Sequence, residues 1–291
     1  MRTKEALLAL SALVVLALSF SVLAEPPLRQ WTGVAPATAP AAVVSNGELI
    51  VVDPANDQYK YYRPDKGWPI TTDLDLLEAR VYSDGQNLYV RYRFQTLKSK
   101  YSPYVMLVMD FTPDFDFDGF SKWLPDWSDT KLPWKWDAIV GVNLGKSEKQ
   151  PFIFYRSWTP KFAGALAVDQ DNAVIEAAVP LSELPDFPRN GKVKMVVVVF
   201  ANDYGGIWDP GKKEAYDPVV GIRVNEETFY ACNVYDIAGQ APTWTEVYGG
   251  WSEGVQERAC ARGWDTAHDV TVNTAFIAQL SNGYFTGITP V

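Results

Sequence analysis

Seven aspartates and four tryptophans crowd into residues 110–137 of this chain. Asp110 leads, and Asp114, Asp116 and Asp118 follow in a D-x-D-x-D run closed by Gly119. Trp123, Trp127, Trp134 and Trp136 come next. Carboxylates at alternate loop positions can converge on a hard cation; Ca2+ takes six to eight oxygens at roughly 2.3–2.6 Å. The run matches the first half of an EF-hand loop, but the position that should carry the closing bidentate glutamate is Pro125. The expectation is therefore a loop calcium site in a β protein, completed by Asp110 or by backbone carbonyls. Asp53, Asp57, Asp73 and Asp75 form a second candidate set for calcium. Both sets compete with a plainer role, because aspartate also caps turns.

The tryptophans raise a parallel choice. Indole faces cover the apolar C–H faces of sugar rings, while neighbouring polar groups bond the hydroxyls. Trp123, Trp127, Trp134 and Trp136 are read as a candidate ligand platform, in a stretch broken by Pro125 and Pro133. Binding residues concentrate on loops held by a rigid scaffold. With eleven tryptophans in the chain, packing is the competing reading. Trp134 and Trp136 alternate into the following strand, so one of them is expected to point inward.

The elements that must position these residues read as strands. Leu77, Ala79 and Val81 alternate with polar neighbours, Asp84-Gly85 supplies a turn, and Leu88, Val90, Tyr92 and Phe94 alternate again. Residues 104–111 and 192–200 are continuous apolar runs, as in central strands covered on both faces. Shorter strands are expected at 138–144, 151–155, 165–168, 174–179, 219–224, 229–235 and 270–277, with single helical turns at 72–77 and 181–184. Many short strands with Pro, Gly and Asp turns predict an all-β, antiparallel two-sheet β-sandwich of the jelly-roll or immunoglobulin-like kind, with long loops.

The ends set the compartment. A basic start, the apolar run Ala6 to Leu23 and the small-residue site Val22-Leu23-Ala24 read as a secretory signal peptide over 1–24. The competing reading is a retained membrane anchor, for which the run is long enough. Residues 25–46, with Ala and Pro alternating from Val34, read as an arm or linker. Residues 47–291 would then hold the sandwich, with an extension from about 221. Cys232 and Cys260 are the only two cysteines, and in an oxidising compartment they pair as one disulfide. The formal charge is −9, and signal cleavage would remove two cations and one anion, leaving −10. Nucleic acid phosphates and anionic lipid would repel such a chain.

Residues 53 to about 218 resemble the carbohydrate-binding, DOMON-like β-sandwich group, above all its C-terminal glucodextranase-type module, with family 9 carbohydrate-binding modules as cousins. The resemblance runs through Asp53-Pro54-Ala55-Asn56-Asp57 with Tyr59, Tyr61, Tyr62 and Pro64, then Asp73-Leu74-Asp75-Leu76. It continues through the hairpin EARVYSDGQNLYVRYRF and the strand-then-corner VIEAAVPLSEL at 174–184. It implies a sandwich that binds polysaccharide or cell-envelope glycan, often with structural calcium. The Trp-rich insertion after Asp118 and the cysteine-containing tail after Gly221 have no counterpart in that group.

Catalysis is not expected. His268 is the only histidine, which removes zinc hydrolase and histidine-brace copper sites. No G-x-S-x-G, phosphate loop or dinucleotide fingerprint occurs. A haem held by Met106, Met109 or Met195, or a carboxylate-pair glycosidase, are weaker alternatives. The reading is thus a secreted or cell-surface, non-catalytic glycan-binding protein. Its main rival is an envelope structural or adhesion protein that binds protein partners, with the Ala/Pro arm as its reaching element.

Overall fold

The computed structural model describes residues 28–39, 41–56, 73–98, 103–115, 118–125, 130–144, 149–200, 236–237, 270–271 and 275–290. The first four strands are β1 (Ala41–Ser45), β2 (Glu48–Val52), β3 (Leu76–Ser83) and β4 (Asn87–Phe94). They form an antiparallel meander. Asn46 and Gly47 both take positive φ and close β1 onto β2 in two residues, the geometry that Asn-Gly favours in hairpins. Next come β5 (Tyr104–Asp110), β6 (Ser121–Trp123), β7 (Thr130–Trp136), β8 (Ala138–Asn143), β9 (Phe152–Tyr155) and β10 (Lys161–Phe162). They are followed by β11 (Ala165–Asp169), β12 (Val174–Pro180), a single 3₁₀ turn at Leu181–Glu183, and β13 (Gly191–Phe200). The last are β14 (Asp236–Ile237), β15 (Val270–Thr271), β16 (Phe276–Ser281) and β17 (Tyr284–Pro290). No α-helix occurs among the described residues.

These strands make the expected sandwich. The first sheet has the order β1-β2-β3-β4-β12-β11. The second runs β10-β9-β8-β5-β13-β16-β17, with β14 also beside β13. Strand alternation decides what lies between them. Leu49, Val51, Ala79 and Val81 from the first sheet and Leu107, Met195, Val197 and Phe276 from the second line one small apolar void, so these faces oppose each other. Fully burying one such side chain contributes roughly 1.5–3 kcal/mol, and this inner layer is the main source of stability.

The second sheet is covered on its outer face too. β5 and β8 are buried along their whole length, which explains their unbroken apolar sequence. The covering comes in part from a third sheet, β15-β7-β6. Lys194 faces outward between Val193 and Met195, and its ammonium lies 5.6 Å from the centre of the Trp134 ring on β7. The stretch 130–136, read as loop from the sequence, is therefore strand.

Two other sequence expectations shift. Strand structure begins at Ala41 rather than Gly47, so the Ala/Pro stretch 25–46 contributes β1. From the tail after about residue 221, β16 and β17 enter the second sheet beside β13, again through an Asn-Gly hairpin at Asn282 and Gly283. The helical turn expected at 181–184 is present as the 3₁₀ turn, whereas at 72–77 Asp73 is the one described helical residue, again 3₁₀, and β3 starts at Leu76. The strands expected at 219–224 and 229–235 lie outside the described residues, as do the signal segment 1–24, Cys232, Cys260 and His268.

Candidate binding surface

The hairpin of β6 and β7 positions the aromatic residues. Ser121 pairs with Trp136 and Trp123 with Lys131. The Trp136 indole N–H donates to the Trp123 carbonyl at 2.7 Å, which ties the ring under the hairpin. Trp136 and Trp134 are 0% and 4% exposed. Both indoles are therefore packing residues, and neither offers a face to a ligand. Trp123 is 40% exposed and does reach solvent. Trp127 lies outside the described residues.

A residue that the sequence reading passed over completes the surface. Trp158, on the turn between β9 and β10, is 52% exposed. Its ring meets Trp136 edge-on at 5.8 Å between centroids and Phe120 at 5.1 Å. Phe120 and Trp136 lie 5.0 Å apart. Trp136 thus acts as a buried post, Phe120 fills the corner, and Trp158 stands on both with half its surface in water. Edge-to-face contacts of this kind each contribute roughly 0.5–1.5 kcal/mol beyond area burial, which holds the exposed ring in place.

The turn that carries Trp158 is strained and anchored. Arg156 adopts φ +43°, a left-handed conformation uncommon for a residue with a side chain. Its N–H donates to the Asp137 carbonyl at 2.8 Å and its Nε to the Asp137 carboxylate at 2.9 Å. The other Asp137 oxygen accepts the Phe111 N–H at 2.8 Å. Burial pushes the Asp137 carboxyl above its ordinary range, against the pull of Phe111 and Arg156, and the charge on Asp118 adds to the rise. Arg156 also pairs with Asp186 at 3.4 Å, and the Tyr155 hydroxyl donates to Asp186. Burial, then the Asp186 bond, raise the Tyr155 phenol to about 12. The segment that leads into the exposed ring is thus anchored by a guanidinium, a carboxylate and a phenol.

The first aspartate set is spread across different tasks. Asp110 is buried and accepts the Thr112 N–H at 2.9 Å, a turn bond. Asp114 is exposed and pairs with Lys192 at 3.1 Å. Asp118 is exposed beside Asp137, and Asp116 lies outside the described residues. In the second set Asp53, Asp73 and Asp75 are all buried. The Asn56 N–H donates to Asp75 at 2.9 Å and the Thr96 hydroxyl to Asp73, so segments 53–56, 73–77 and 95–96 meet at one end of the first sheet. Asp57 is outside the described residues. Among the described residues no three Asp, Glu, His or Cys side chains are arranged to hold a metal ion. Any calcium ion at either set would need a ligand from beyond them. Met106, Met109 and Met195, weighed for haem, are buried strand residues of the second sheet.

No protein-family model matches the chain, and no characterised protein matches it in sequence.

Proposed function

We propose that this protein is a secreted, non-catalytic binder of polysaccharide or cell-envelope glycan, and that its ligand stacks on Trp158. One observation carries the reading: a half-exposed indole is held on edge by Trp136 and Phe120 in a strained, ion-paired turn. A supported flat apolar face suits the C–H face of a sugar ring, and Arg156, Asp186 and Tyr155, which anchor the same turn, are side chains of the kind that bond hydroxyls. The likeness of residues 53–218 to carbohydrate-binding sandwiches points the same way. Both carboxylates that anchor the Trp158 turn, Asp137 and Asp186, are already engaged by Arg156, which favours binding over acid–base work.

Structural calcium belongs to the same proposal. Its better seat is the second set, Asp53, Asp57, Asp73 and Asp75, because its described carboxylates are buried whereas Asp114 is exposed and ion-paired.

Electrophoresis through gels cast with soluble polysaccharides tests the binding. The wild-type chain should be retarded by at least one polysaccharide, Trp158→Ala should run freely, and Trp31→Phe, in the segment that precedes β1, should be retarded like wild type. Equal retardation of wild type and Trp158→Ala would remove the indole from the site.

A further inference from the structure

On the far side of the molecule, residues 28–34 cross the outer face of the first sheet, and side chains hold their main chain there. Glu48 is the centre of the contact. Its side chain is 0% exposed. One of its oxygens takes Arg29 Nη2 at 2.9 Å and the Thr32 N–H at 2.7 Å. The other takes the Gly33 N–H at 2.9 Å and Arg80 Nη1 at 3.1 Å. Arg80 Nη1 also donates to the Gly33 carbonyl at 2.9 Å, Asn46 donates to the Thr32 carbonyl at 3.2 Å, and the Val34 N–H donates to the Ser45 hydroxyl at 3.1 Å. The Arg29 guanidinium lies over Tyr82, 3.3 Å from the ring centre.

Two features separate this contact from ordinary packing. The first is charge. Arg80 is fixed to Glu78 at 2.8 Å and to Glu48, all three within the sheet. Glu48 is fully buried, and its carboxylate is bonded by two guanidinium groups, Arg80 from the sheet and Arg29 from the strap. Removing one partner of a buried charge is strongly unfavourable, and Arg29 is the partner that the strap supplies. The second is shape. A Cβ at position 33 would sit 2.6 Å from the Glu48 carboxylate, 2.8 Å from the Ser45 carbonyl and 2.9 Å from Ile50, so only glycine fits. Main chain, one cation and one glycine are read at fixed positions, which is how a receptor reads a peptide.

We propose that the Glu48–Arg80–Tyr82 face is a peptide-recognition site for extended segments of the form Arg-x-x-x-Gly, and that residues 28–34 occupy it as a tethered self-ligand. The partner is a protein that presents such a segment. Because the tether keeps the self-ligand at high local concentration, the site is masked in the resting chain, and a free peptide sees only the fraction of molecules in which the strap is released. This site is separate from the Trp158 surface and does not depend on it.

The test uses the full chain and a fluorescent peptide with the sequence of residues 28–35, followed by anisotropy. Weakening the tethered strap should open the site, so Arg29→Ala should bind the peptide at least tenfold more tightly than wild type. Peptides with the arginine or the glycine replaced by alanine should not bind, and Glu48→Gln in the Arg29→Ala chain should abolish binding. Equal affinity for wild type and Arg29→Ala, or binding indifferent to the peptide's arginine and glycine, would overturn the proposal. If circular dichroism shows that Arg29→Ala does not fold, hydrogen exchange of residues 28–34 is followed in the wild-type chain under millimolar peptide. Faster exchange supports displacement, and unchanged exchange overturns it.

Discussion

Gly33→Ala is the most local perturbation of the strap on the first sheet. The added methyl group would meet three atoms closer than 3.0 Å: a Glu48 oxygen, the Ser45 carbonyl oxygen and a methyl of Ile50. None can move cheaply. Glu48 is held by Arg80, Ser45 and Ile50 are paired within the β1–β2 hairpin, and the sheet behind them is packed. The strap must therefore lift, and the Arg29, Thr32 and Gly33 bonds to Glu48 go together. Hydrogen bonds to a charged group each contribute roughly 1.5–3 kcal/mol when buried, but Glu48 regains water and keeps Arg80 once the strap leaves. A net loss of about 2 kcal/mol is expected, which for a domain of this size lowers the thermal midpoint by about 4–8 °C. Scanning calorimetry measures the midpoint, and hydrogen exchange should show residues 28–34 released while β5 and β13 stay protected. A midpoint within 1 °C of wild type (about the scatter of the measurement), or loss of protection spread evenly over both sheets, would refute the account of position 33.

Other perturbations address separate parts of the account. The Tyr92 hydroxyl is buried in the core without a hydrogen-bond partner among the described residues, and burial pushes its phenol far upward; Tyr92→Phe should raise the midpoint by about 2–4 °C, and a lowered midpoint would mean the hydroxyl has a partner. Burial raises the Glu48 carboxyl, but Thr32, Arg29 and Gly33 outweigh that and hold it below its ordinary range. Its stabilisation is then fully present above the unfolded value of about 4.3 and is lost as pH falls through the folded value, so the stability gap between wild type and Glu48→Gln should narrow from pH 6 to pH 3 in urea titrations. A constant gap would contradict that sign. If calcium is held at Asp53, Asp73 and Asp75, chelation should lower the midpoint by several degrees, calcium should restore it, and Asp57→Asn should remove the response; a midpoint unmoved by chelator would dispose of the ion.

The sandwich was legible because its signals are local. Alternation at 77–94 and the apolar runs at 104–111 and 192–200 became β3 to β5 and β13. β1 and β17 were missed although Asn46-Gly47 and Asn282-Gly283 are strong hairpin signals. The Ala/Pro composition before Asn46 masked the first, and β17 carries few large apolar residues to announce the second. The strap was illegible for a different reason. Its anchors, Glu48 and Arg80, sit on strand faces that read as solvent-exposed, and only the fold shows that residues 28–34 cover them. In the Trp-rich stretch, sequence order misled. Trp134 and Trp136 share one strand face, so both turn inward, while the exposed ring comes from Trp158 in the polar turn Ser157-Trp158-Thr159. A tryptophan isolated among turn residues was the available signal.

The central claim is that Trp158 is the ligand platform. A glycan array probed in parallel with wild type and Trp158→Ala tests it most directly. Truncating a stacked tryptophan in a binding site commonly costs about 2 kcal/mol or more, so the variant should lose roughly thirtyfold in affinity for every glycan that wild type retains. Near-UV circular dichroism should show both chains folded. Glycans bound equally by the two, or a folded wild-type chain that binds no glycan on the array, would contradict the account.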